Sequence, residues 1–128
     1  MGVGQSARFS VLYPSVPIPG GAQVLARATL IIEDADGNTL AAQDVQLTGA
    51  KGGRIASVVA NSDTAIPVGS RNVQVRAYAL VPNVNDPLTP GGGGYITLVF
   101  GLDIIDNATG KTVTHVPTQI TFPKPAGN

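Results

Sequence analysis

Apolar residues recur at every second position in three long stretches of the chain. Val24, Ala26, Ala28, Leu30 and Ile32 alternate with Leu25, Arg27, Thr29, Ile31 and Glu33. Val73, Val75, Ala77, Ala79 and Val81 alternate with Gln74, Arg76, Tyr78 and Leu80, and Ile96, Leu98, Phe100, Leu102 and Ile104 with Tyr95, Thr97, Val99, Gly101 and Asp103. Successive side chains of a strand point to opposite faces, so this period of two predicts strands with one apolar face. A period of 3.6 is almost absent, and no helix longer than about one turn is expected.

The breaks carry turn chemistry. Asp34-Ala35-Asp36-Gly37-Asn38 contains Asp-Gly, which suits the positive φ of a tight hairpin joining strands 22–33 and 39–48. Asp106 to Lys111 does the same between 95–105 and 112–116, and Gly49 to Gly53 separates 39–48 from 54–60. Three prolines between Pro14 and Gly21 remove ladder donors, so that segment reads as a polyproline-like bridge after a strand over 7–13. A strand over 73–81 follows the polar connection 61–70. The region from Pro82 to Gly94 reads as one long loop, and Pro117 as a break before a short last strand near 119–122. Seven or eight strands at this spacing predict an all-β antiparallel sandwich, immunoglobulin-like or jelly-roll-like, or a small barrel, with no significant helix. Residues 1–6 read as a flexible leader, 7–122 as a single sandwich domain and 123–128 as an extended tail. Gly2 and Ser6 fit a myristoylation pattern, but a glycine-rich leader is the plainer reading.

Chemistry is scarce. Cys and Trp are absent and His115 is the single histidine, which removes Cys-based metal sites, disulfides and thiol catalysis. A formal net charge of zero argues against a nucleic-acid binder. No apolar run is long enough for a membrane helix and the start lacks a secretory signal, so synthesis in a cytoplasm is expected. Asp34, Asp36 and Asn38 have the spacing that opens a calcium loop, but Gly37 stands too early and Val45 occupies the place of the bidentate Glu, so a hairpin turn is the better reading. A Ser-His-Asp site would need His115, and no nucleophile elbow accompanies it. Asp103 and Asp106 could form a glycosidase pair, yet Asp106 begins a turn. Gly91 to Gly94 leads into a strand rather than a helix and does not read as a phosphate cradle. Arg54, Arg71 and Arg76 read as scattered solvated charges, with carboxylate pairing across a subunit boundary as the sharper option. No catalytic residue, cofactor or metal is assigned, and no enzyme is expected.

Charge is the scarce commodity. Charged residues make up 12% of the chain, about half the usual share. The three lysines, Lys51, Lys111 and Lys124, fall at turns or in the tail, so the strand edges lack their common guard. This predicts edges and one face covered by neighbours in an assembly.

The phrases Leu30-Ile31-Ile32-Glu33-Asp34-Ala35-Asp36-Gly37-Asn38-Thr39-Leu40 and Asp103-Ile104-Ile105-Asp106-Asn107-Ala108-Thr109-Gly110-Lys111-Thr112-Val113 resemble those of immunoglobulin-like and fibronectin-III-like modules. They are also similar to those of the decoration, or cement, proteins of tailed-phage virions. That resemblance implies a non-enzymatic virion-surface subunit that binds and stabilises an assembled protein shell as a homo-oligomer, with a trimer the first expectation. Tyr13, Pro17, Ile18, Tyr78, Val84, Leu88 and Tyr95 are the candidate interface residues. The alternative is a carbohydrate- or ligand-binding sandwich, an adhesin or accessory domain, for which the aromatic complement is thin.

Overall fold

The computed structural model describes residues 1–13, 24–48, 53–66, 72–84 and 95–123. Alternation becomes strands at Gln5–Leu12 (β1), Val24–Asp34 (β2), Thr39–Thr48 (β3), Ile55–Asn61 (β4), Val75–Val84 (β5), Tyr95–Asp106 (β6) and Thr112–Pro123 (β7). The helix Ser62–Ala65 (α1) is a single turn, started by the Asn61 side chain accepting from the Asp63 N–H. All pairings are antiparallel. A four-stranded sheet, β4-β1-β6-β7, packs against a three-stranded sheet, β3-β2-β5. This is the expected all-β sandwich, with a strand order of its own: β1 pairs with β4 and β6 rather than with β2.

The inner faces follow the alternation. Ala7, Phe9 and Val11 of β1, Leu98 and Phe100 of β6, and Ala28, Leu30 and Ile32 of β2 form one buried cluster with Leu47, Val58 and Ala60. The Phe9 and Phe100 rings stack with centroids 5.9 Å apart. Each large side chain buried here contributes about 1.5–3 kcal/mol. The Asp-Gly hairpin forms as read. Asp34 Oδ1 accepts the N–H groups of Asp36 and Asn38, both at 2.9 Å, and Gly37 takes φ +86°.

Three expectations are corrected. Residues 1–6 are no free leader. The Met1 ammonium donates to the Val73 carbonyl at 3.0 Å, the Val73 N–H donates back to Met1 at 3.0 Å, and β1 begins at Gln5. Pro117 does not divide the last strand. β7 is the outer strand of its sheet, where an absent N–H on the free side removes no ladder bond. Pro82 does not end β5 for a related reason: β5 is also an outer strand, and Val81 and Pro82 together oppose Ala28 in a bulge. The strand 95–105, uncharged before Asp103, is central in its sheet, since β6 lies between β1 and β7. The bridge 14–21, the loop beyond Val84 with Gly91 to Gly94, Arg71, and the tail after Pro123 lie outside the described residues.

Candidate functional site

Two surfaces stand out, one polar and one apolar. The polar one is a row across the outer face of the four-stranded sheet. Register places Arg8 of β1, Asp103 of β6 and His115 of β7 side by side. Asp103 is 8% exposed although it stands on an outer face. Arg8 Nη2 donates to Asp103 Oδ2 at 3.1 Å, and His115 Nδ1–H donates to Oδ1. With Nδ1 carrying that hydrogen, Nε2 is the acceptor in the neutral ring and a second donor in the protonated one. Burial pushes the Asp103 carboxyl up, but the hydrogen bonds and positive charges of His115 and Arg8 outweigh it and hold the carboxyl below its ordinary range. Gly101 gives the imidazole its place: a Cβ there would stand 3.3 Å from His115 Cε1. Beside the row lies a shallow groove of about 320 Å3, lined by Ser10, Ser57, Leu12, Ile55 and Pro117. Arg8 Nε is buried and has no hydrogen-bond partner among the described residues.

An aspartate orienting a histidine is half of a nucleophilic triad. The described residues supply no serine hydroxyl bonded to that imidazole. Asp106 takes no part in the row. Its Oδ1 accepts from the Ala108 N–H at 2.9 Å within the turn, so it is not paired with Asp103. In the first hairpin Asp34 spends both oxygens on Asn38 and Asp36, which hold its carboxyl below the ordinary range. Among the described residues no group of three or more His, Cys, Asp or Glu side chains is placed to hold a metal.

The apolar surface is a seam. Four strands over three leave β7 overhanging the three-stranded sheet. Val116 and Ile120 pair across the sheet with Leu102 and Leu98 and share their inward face. Leu98 is fully buried, yet Val116 is 52% and Ile120 41% exposed. A cavity of about 450 Å3 opens there, floored by Phe9, Phe100 and Leu102 and walled by Ala77, Ala79 and Val81 of β5.

The candidate interface residues divide. Tyr13 is corrected: at 5% exposure it belongs to the core and presents no ring to a partner. Tyr78 is exposed on the outer side of β5, at the rim of the seam. Val84 ends β5 and Tyr95 begins β6. Pro17, Ile18 and Leu88 lie outside the described residues. The sequence reading missed Arg8, Val116 and Ile120. The one available signal was Asp103, the first charge in a strand that runs eight residues without one. Compared with protein-family models, curated proteins and solved structures, the chain matches none.

Proposed function

We propose that the chain is a non-enzymatic structural subunit, a capsid decoration or cement protein acting on a virion surface. It works as a homo-oligomer bound to an assembled protein shell. The uncovered apolar seam under β7 carries this reading, because a small domain of low charge gains by burying such a surface against protein. Exposed Leu12, Ile55 and Val59 on the outer face of β1 and β4 add a second apolar area. Binding the assembled lattice and not its free subunits stabilises the lattice by mass action. The test is co-sedimentation with purified tailed-phage capsids, followed by heating. Pelleting with the shell and a raised disassembly temperature support the reading, and a protein left wholly in the supernatant across a panel of capsids sinks it.

One observation favours a second reading, the carbohydrate- or ligand-binding module: the outer-face groove converges Ser10, Ser57, Arg8 and His115. Reproducible hits on a glycan array, lost in Arg8→Ala, would establish it in place of the first.

A further inference from the structure

We infer that two copies of this chain interlock through the seam, the overhanging β7 of each filling the place beside β5 of the other. The inference deepens the assembly reading and rests on it for its biological sense. Among the described residues, the four-over-three mismatch puts no strand in the smaller sheet next to β5 and beneath β7. β5 and β7 run in the same direction. The Thr48 N–H donates to the Gly53 carbonyl and the Tyr13 N–H to that of Arg54, which brings the end of β3 and the end of β1 together at the start of β4. With the registers, the ends of β5, β1 and β7 and the starts of β2, β4 and β6 lie at this one end of the sandwich. A two-fold axis along the strands, placed at the seam, exchanges the two layers and keeps strand direction. It sets β7 of one copy beside β5 of the other, in parallel, twice. Each layer then holds seven strands, four from one copy and three from its mate, and Val116 and Ile120 of both copies are covered.

The occupant is a second copy for three reasons. The contact is isologous and closes on itself, as the commonest oligomers do. The residues lining the seam include no Lys, Arg, Asp, Glu or His, and the chain's net charge is zero, so like copies meet without repulsion. The inward-facing Thr114, Val116, Thr118 and Ile120 of β7 are all exposed, so a second β7 meets an uncovered face of its own length. The bulge at Val81 and Pro82 ends the straight part of the β5 edge, and Pro117 removes one donor from β7, so side-chain packing outweighs the new ladder. A closed two-fold gives a dimer, not the trimer expected from sequence.

Light scattering of the full chain at about 100 µM should give twice the chain mass. Val116→Lys and Ile120→Lys, both at exposed positions, should each weaken the dimer by at least about tenfold, because each would bury an unpaired ammonium. Both should keep the strand circular-dichroism spectrum, and Val59→Lys on the far strand should leave the mass unchanged. A monomer, a trimer, or a dimer whose mass survives Val116→Lys and Ile120→Lys overturns the interlock. Binding to capsids is read separately: a monomer that pellets with capsids defeats the interlock alone, and a dimer that never does defeats the assembly reading alone.

Discussion

A carboxylate on the outer face of a sheet ordinarily stands in water. Asp103 does not, because Arg8 and His115 close over it from both neighbouring strands. A buried charge held by two donors costs little while all three groups are present and much when one is removed. Asp103→Ala should therefore destabilise the fold by about 1–3 kcal/mol, measured by urea unfolding at pH 7. The pH dependence has a definite sign. The folded carboxyl titrates below the unfolded one, so the stability it gives is full above the unfolded value of about 4 and is lost as pH falls through the lower folded value. Asp34 has the same sign, through its bonds to Asn38 and Asp36. Melting temperature should fall between pH 5 and pH 2, and Asp103→Asn should flatten that fall. An unchanged acid slope in Asp103→Asn would show that other carboxylates carry it.

Among the elements, β2 and β7 are opposites. β2 is central in its sheet and its inner residues Leu30 and Ile32 are fully buried, whereas every residue of β7 from Thr112 to Ile120 is exposed. Leu30→Ala should cost about 2–5 kcal/mol, through lost transfer energy and the cavity left behind. Val116→Ala, read in dilute solution by the same denaturant titration, should cost the single chain under about 1 kcal/mol, since its methyl groups already meet water. Equal costs at the two positions would show that β7 is covered within the single chain. The contrast also marks what the sequence could convey. Alternation identified the inner faces of β2, β5 and β6, and Asp-Gly identified the hairpin, because both depend on neighbours along the chain. The prolines misled because their cost depends on which side of a strand is paired. Pro117 and Pro82 are tolerated at outer strands, and strand order arises from distant pairings. The polar row was hidden for the same reason: 95 residues separate Arg8 from Asp103, and only register brings them level.

At the scale of the molecule, the shortage of charge gains a location. Of sixteen charged residues, Arg8 and Asp103 face each other, Arg76 Nε binds Glu33 at 2.6 Å, and Asp34 caps a turn. β6, which carries no charge before Asp103, is central, so its composition reflects neighbours on both sides. Among the described residues the exposed apolar side chains include Val116 and Ile120 on the inward face of β7, Tyr78 and Leu80 on the outer side of β5, and Leu12, Ile55 and Val59 on the other flank. Association through such surfaces is driven by apolar burial, which ions screen hardly at all, whereas charge-steered association weakens steeply as salt shortens the Debye length. Self-association should therefore change by less than about twofold between 50 and 500 mM sodium chloride, and sulfate should strengthen it through exclusion from the surface. Calorimetric dilution should give a negative heat-capacity change on association. A tenfold weakening over that salt range would instead place the contact on the charged row of Arg8, Asp103 and His115, and would move the binding surface from the seam to the outer face.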